Sequence, residues 1–286
     1  MPIDLHTHST ASDGTEASEV VVAQAARAGL DVVALTDHDT YAGWPAAVAA
    51  AGELGVDLVR GVEVSCSQRG ISVHLLAYLV DPEASGLLHE LDRARDSRVT
   101  RIDRMVELMA ADGIPVTIDE VRAQAGVGTT MGRPHIADAL VASGFVRSRD
   151  EAFADVLRNG SRYYVSHYAP DPVRAVELVR AAGGVPVMAH PFANGRGWTV
   201  DDSVIERMAD AGLAGLEAHH RDHTPAERTH AVELAARLGL FVTGSSDYHG
   251  AGKENRLGEN TTTPEVLAQI EEQATSGIDV VRVARA

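Results

Sequence analysis

Residues 3–39, IDLHTHSTASDGTEASEVVVAQAARAGLDVVALTDHD, contain one full period of an α/β rhythm. A short apolar run ends in His6 and His8, a polar loop carries Asp13, and an alanine-rich stretch follows with apolar residues at helical spacing. A second apolar run, DVVALTDHD, then ends at His38. Thr15 is the expected cap of the intervening helix, with Glu16 and Glu19 in its first turn and Gly29 closing it. Strand, helix and strand in this order make a βαβ unit of a parallel sheet or barrel.

The rhythm continues with a helix over 46–54 and the strand DLVRGVEVSC. VEVSCSQRGISVHLLAYL breaks it, because two strand-like runs are joined by turn residues at 67–70, which predicts a hairpin. From about 83 to 165 the pattern is helical throughout, with helices expected over 84–111, 118–125, 132–143 and 148–157. Alternation then returns: helices over 172–182, 201–211, 225–238 and 264–274, with strands in VPVMAHP, LAGLEAHH, LFVTGSSDYH and IDVVRVA. Six or seven β/α units and a helical interruption indicate a barrel related to the (β/α)₈ type. The expected division is a barrel from 1–98 and 166–286 and a helical insertion from 99–165.

Composition narrows the functional classes. With 286 residues, 45% hydrophobic and 23% charged, the chain has the make-up of a globular protein, which excludes disorder, collagen and coiled coil. No apolar run reaches the roughly 18 residues of a membrane span, and the first residues hold no leader pattern. Cys66 is the only cysteine, so an internal disulfide and a cysteine-based zinc site are excluded and a cytoplasmic setting is expected. Lys253, in AGKEN, is the only lysine, which rules out a GxxxxGK[ST] phosphate loop. A formal charge of −16 and 4% aromatics argue against long nucleic acid and leave a small or short anionic substrate open.

The 13 histidines point to metal. Chance alone gives an HxH pair about 0.6 times at this frequency, so His6 and His8 decide little by themselves. Position decides more. His38, Glu63, His74, His190, Asp247 and His249 all fall at or near the expected C-terminal ends of strands, which in a barrel form one rim, and Asp13 lies in the loop after the first strand. Nine nitrogen and oxygen donors without sulfur suit two or three divalent ions such as Mn, Fe or Zn.

DLHTHSTASDGT, ALTDHDT, GVEVS, VHLLAY, AHP and GSSDYHG, in this order over almost the whole chain, resemble the PHP (polymerase and histidinol phosphatase) family, in particular its stand-alone metal-dependent phosphoesterases. The resemblance implies a distorted (β/α)₇ TIM-like barrel with a small helical insertion capping a trinuclear site. It also implies that His6, His8 and Asp247 hold one metal, that Glu63 bridges it to a second held by His74 and His190, and that Asp13, His38 and His249 hold the third. Arg133 and His135, in GRPHIADAL, match the Arg-x-His pair that the branch carries in its insertion, and guanidinium suits bidentate phosphate binding.

The implied activity is hydrolysis of phosphate monoesters of small nucleotides: nucleoside 3′,5′-bisphosphates, 5′-mononucleotides such as AMP, or short 5′-phosphorylated oligonucleotides. Glu63, Arg133 and His135 are the catalytic candidates, and Arg133, His135, His220 and Arg158 the substrate-binding ones. Histidinol phosphate hydrolysis and a non-catalytic metal-stabilised module are the alternatives. A carboxylated-lysine amidohydrolase is excluded, because Lys253 stands on no barrel strand. His219 and His223 are expected in a loop or substrate-facing role, His89, His167 and His230 on the surface or a helix face, and Cys66 in packing. Arg162 is read as steering anions or as solvated, and Asp37 and Asp39 as partners orienting imidazoles.

Overall fold

A computed structural model describes residues 1–125, 129 and 131–283. Its strands are β1 (Ile3–Asp4), β2 (Val32–Leu35), β3 (Asp57–Gln68), β4 (Ile71–Tyr78), β5 (Val185–Met188), β6 (Gly215–His219) and β7 (Phe241–Gly244). The helices are α1 (Ser18–Arg27), α2 (Trp44–Leu54), α3 (Ser85–Ala111), α4 (Ile118–Ala123), α5 (Arg133–Ala142), α6 (Arg149–Ala154), α7 (Pro172–Ala181), α8 (Asp202–Asp210), α9 (Pro225–Leu238) and α10 (Pro264–Gln273).

The strands form one seven-stranded sheet in sequence order. All neighbours are parallel except β4, which runs antiparallel to both β3 and β5. Past β7 the chain bridges back, Tyr248 to Thr7, where the His8 amide donates to the Tyr248 carbonyl at 2.8 Å. The result is a nearly closed barrel. The strand expected at the C-terminus is not formed among the described residues: 278–283 contribute a single bridge, Val281 to Leu58, and residue 284 lies outside them.

Alternation along the strands sorts the side chains. Val62, Val64, Leu75, Leu216 and Ala218 face the helices, in a cluster with Ala25, Ala47, Leu87, Leu91, Val176, Met208 and Leu234. Val59, Leu76 and Tyr78 face the other way, packed with Ile3, Leu5, Val187 and with Leu267 and Ile270 of α10, which closes the end of the barrel away from the rim. Residues of that same inward set, Glu63 of β3 and His74 of β4, therefore point into the barrel nearer its open end.

The expected cap of α1 is corrected. Ala17 occupies that position with no side-chain cap bond, while Thr15 accepts from the Ala251 amide at 2.8 Å and donates to the His249 carbonyl at 3.2 Å. The loop after β1 is tied across to the last rim segment instead of to its own helix. Elsewhere local chemistry suffices. Thr224 and Glu227 form a capping box on α9, Pro225 opens it, and Gly239 ends it in the left-handed region at φ +69°.

α3 is 27 residues, about 40 Å long. Its first half packs on the barrel through Leu87 and Leu91. Its second half, Ile102, Met105, Val106 and Met109, belongs to a separate cluster with Val121, Ile136, Leu140, Ala152 and Leu157. No helix among the described residues is long and apolar enough to cross a membrane.

Candidate metal centre

At the open end, β1, β2, β3, β4 and β5 and the segment after β7 bring nine polar side chains to one place. Glu63 is the hub. Its Oε2 lies 3.2 Å from His6 Nε2, 3.0 Å from His8 Nε2 and 3.3 Å from His38 Nδ1. Its Oε1 lies 2.8 Å from His74 Nδ1 and 3.4 Å from His190 Nε2. Each carboxylate oxygen thus faces its own group of imidazoles, the disposition a bridging ligand requires.

The other two carboxylates complete the cluster. Asp247 Oδ1 is 3.5 Å from Nε2 of both His6 and His8 and 3.3 Å from His249 Nδ1. Asp13 is 3.2 Å from His249 Nε2, 3.6 Å from His8 Nδ1 and 3.9 Å from His38 Nε2. Three groupings are compact enough to hold an ion: His8, Asp13, His38 and His249; His6, His8 and Asp247; and His38, Glu63 and His74. The first two contain two of the sets implied by the sequence, with His8 shared between them. In the last, His38 stands where His190 was expected; His190 remains beside it, its ring 5.3 Å from that of His74.

The donor chemistry fits divalent cations. Seven of the nine side chains belong to buried residues and His74 and His190 are half-buried, all are nitrogen or oxygen donors, and His38 Nδ1 has no hydrogen-bond partner although buried. Burial opposes charge on Glu63, yet His38, His6 and His74 hold its carboxyl well below the usual range. Asp13, facing His249 and His38, and Asp247, facing Lys253 and Arg196, are likewise held low against burial. Burial pushes His38 well below its ordinary value, His190 to about 3 and His249 to about 4, so these rings keep free lone pairs. His6 goes the other way. Despite burial, Glu217, Glu63 and Asp247 raise it well above its ordinary range, the mark of a position where carboxylates call for a cation.

The strand-end expectation needs correcting for two ligands. Glu63 sits in the middle of β3, which runs past the rim into the hairpin, and His74 lies on β4, whose reversed direction puts its first half at the open end. Three ligand-bearing loops also depart from ordinary backbone. His190 has φ +30°, Asp247 φ +55°, and Asp39, beside His38, φ +54°.

Several partners could not be read from sequence. Glu217 accepts from His6 Nδ1 at 3.0 Å and from the His190 amide at 2.9 Å, which turns Nε2 of His6 into the cluster. Burial opposes its charge, but His6 holds its carboxyl at about 2. Arg196 and Lys253 donate to Asp247 Oδ2 at 2.7 and 2.9 Å, leaving Oδ1 to the imidazoles. Glu217 lies in EAHH, where the three nearby histidines drew attention away from it; its inward parity on β6 was the available signal.

The remaining candidates divide. His220 is fully buried, with Nε2 3.5 Å from Asp247 Oδ2 and no hydrogen bond there. His223 is fixed structurally, Nδ1 donating to the Ala218 carbonyl at 2.8 Å and Nε2 accepting from the Phe192 amide at 3.2 Å, while His219 is exposed at the end of β6. Asp37 accepts from Ser9 and Ser12 and reaches His8 only through Ser12, and Asp39 accepts from Ser65 and pairs with Arg98, so neither orients an imidazole directly. Arg133 donates to the Leu157 carbonyl at 2.8 Å and to Asn159 at 2.7 Å; His135 is buried and accepts on Nδ1 from the Gly132 amide at 3.0 Å. Arg158 is exposed, and among the described residues its side chain joins none of the cluster's contacts. Arg162 pairs with Asp112, Cys66 packs in the core, His89 is exposed and His230 pairs with Asp202 on the surface.

The PHP domain model matches residues 4–116, the part of the chain that holds His6, His8, Asp13, His38, Glu63 and His74. A 3′,5′-nucleoside bisphosphate phosphatase of Chromobacterium violaceum is 33% identical over 269 residues, 94% of either chain. The chain belongs to the PHP domain family. A phosphoribosyl 1,2-cyclic phosphate 1,2-diphosphodiesterase of Eggerthella lenta is 34% identical over 254 residues, covering 86% of this chain and 94% of that one. The crystal structure of a candidate metal-dependent phosphoesterase from Bifidobacterium adolescentis superposes with a TM-score of 0.93 at 41% identity, over 97% of this chain and 99% of that one. This PHP protein is a metal-dependent phosphoesterase, and its barrel is the distorted seven-stranded form of the TIM type.

Proposed function

We propose that the chain hydrolyses phosphate monoesters of small nucleotides, among nucleoside 3′,5′-bisphosphates, 5′-mononucleotides such as AMP and short 5′-phosphorylated oligonucleotides. The observation that carries this is the split environment of Glu63, whose two oxygens face separate imidazole groups inside a buried donor set. The likeness to the Chromobacterium violaceum phosphatase supports the substrate class, and a formal charge of −16 favours small anions over a long polyanion.

In this reading His6, His8, Asp13, His38, Glu63, His74, His190, Asp247 and His249 hold two or three Mn, Fe or Zn ions. When bound, these supply Lewis acidity: they neutralise phosphoryl oxygens and make water a nucleophile near neutral pH. The protein does the rest. Glu217 fixes His6 with Nδ1 as donor, and the Asp247 carbonyl does the same for His249 at 2.8 Å, so each ring presents Nε2 inward. His135, accepting on Nδ1, carries its proton on Nε2 and donates it to a phosphoryl oxygen, and Arg133 adds guanidinium charge. Arg158, exposed beside Leu157 and Asn159, steers the anion, and the buried His220 borders it next to Asp247. The described residues of 99–165 form the cap that keeps the phosphoryl group from bulk water, with their own apolar cluster as its core. The single, buried Cys66 suits a cytoplasmic setting.

The test is phosphate release by metal-loaded protein from AMP, adenosine 3′,5′-bisphosphate, short 5′-phosphorylated RNA and histidinol phosphate. A chelator should abolish release and Mn restore it. Glu63→Gln should lose at least one metal per chain by elemental analysis and about a thousandfold or more in kcat/KM. Release indifferent to chelation, or near-normal turnover by Glu63→Gln, defeats the proposal.

A further inference from the structure

Trp198, in the loop between β5 and α8, is 87% exposed, the most exposed large apolar side chain among the described residues. The other tryptophan, Trp44, is buried and donates through Nε1 to the Gly61 carbonyl at 2.8 Å. Single apolar side chains in solvent are ordinary, but an indole, with its large apolar area, held there by a loop fixed at both ends is less so. Phe192 and Val200, on either side, are buried in the cluster between strands and helices. Asn194 donates to Glu227 Oε1 at 2.7 Å and accepts from Thr199 Oγ1 at 2.9 Å, and Arg196 pairs with Asp222. So tied, the loop does not depend on the indole for its own packing.

The same loop joins the cluster around Glu63 to the insertion. Two residues before Trp198, Arg196 donates to Asp247 Oδ2 at 2.7 Å, and Cα atoms two residues apart are separated by at most about 7 Å. One residue before it, Gly197 lies against the insertion. A Cβ there would stand 3.0 Å from Asn159 Nδ2, and Oδ1 of the same Asn159 accepts from Arg133 at 2.7 Å. Gly197 also has φ +139°, an angle that glycine alone adopts freely, so both the close approach and the turn require it. Trp198 therefore stands at the mouth, where rim and insertion meet.

We propose that the nucleobase of the substrate stacks on Trp198 while its phosphate lies among the residues around Glu63, so that the chain prefers phosphate esters carrying a base over sugar phosphates. This rests on the phosphoesterase reading and narrows its substrate. An open indole beside an anion site matches a molecule that is flat and aromatic at one end and anionic at the other. Stacking tolerates any base, because each has a π face, so the preference is for a base and not for one base.

The experiment compares the metal-loaded wild-type chain with Trp198→Ala and Trp198→Phe. The ratio of kcat/KM for AMP to that for ribose 5-phosphate should fall about 5- to 100-fold in Trp198→Ala, the loss of one stacked base, and recover in Trp198→Phe; UMP in place of AMP should behave alike. Tryptophan emission reports the contact directly: AMP should quench it in wild type, ribose 5-phosphate should not, and Trp198→Ala should lose the quenching. The ligand-free Trp198→Ala chain should melt with wild type, since an exposed ring adds little to stability. An unchanged ratio, equal losses on both substrates, or quenching by ribose 5-phosphate as strong as by AMP would overturn the proposal. If wild type releases no phosphate from any ester, the phosphoesterase reading fails, and quenching by AMP against ribose 5-phosphate still decides the stacking.

Discussion

At the scale of residues, the centre depends on which nitrogen of each histidine faces inward. Glu217 sets this for His6 and also holds the backbone amide of His190, so one carboxylate orders two members of the cluster. Glu217→Gln keeps size and shape but puts an amide nitrogen where a hydrogen-bond acceptor is needed. The chain should fold, and metal affinity measured against a competing chelator should weaken about 10- to 100-fold. Wild-type affinity would show that His6 needs no such partner. The nine clustered side chains were legible because they stand in short contexts of histidine and carboxylate. Motif reading missed Glu217 and Arg196, because a carboxylate or guanidinium that acts through tertiary proximity carries no local spacing. It also misjudged Thr15, a good helix cap by type that the fold uses across the barrel seam.

The elements determine how close these residues come. Gly61 of β3 sits on the inward face, where a Cβ would stand 2.9 Å from Thr36 Cγ2 and 3.2 Å from Tyr78 Cδ1. Tyr78 is fully buried there and donates to the Leu5 carbonyl at 2.9 Å, and the Gly61 carbonyl accepts from Trp44 Nε1 at 2.8 Å. Gly61→Ala should therefore push β2, β3 and β4 apart and destabilise the chain by about 1–3 kcal/mol, read from denaturant midpoints. Because Glu63 lies two residues further along the same face, metal affinity should fall with it. A variant as stable as wild type would mean that Thr36 gives way freely. Most elements were legible, since period-two and period-3.6 patterns and capping residues are local. The last strand was not. IDVVRVA has strand composition, but among its described residues only Val281 finds a bridging partner, at Leu58, and composition supplies no neighbour.

Over the whole molecule, buried imidazoles couple stability to pH. His167 is held at about 3 against an ordinary 6.5, by burial first and then by neighbouring arginines. The unfolded chain takes up this proton more readily than the folded one, so the stabilisation is complete above about pH 6.5 and drains away as pH falls towards about 3. His167→Gln should flatten that acid limb of melting temperature against pH, with little change near pH 8. An unaltered limb in the variant would assign the acid sensitivity to other groups. The half of α3 that carries Arg101 packs in an apolar cluster separate from that of the barrel, so its placement depends on how α3 passes from one cluster to the other.

Order along the chain was enough to expect a β/α barrel, its helical interruption and the nine side chains that the fold gathers in one cluster, because hydrophobic period and residue chemistry are written locally. Folding alone decided that β4 brings His74 to the rim by running backwards, that Glu63 faces two imidazole groups at once, and that Arg101 is buried without an anion among the described residues. Those facts are distances and directions between segments far apart in sequence, set by sheet closure and packing, and no spacing along a chain encodes them.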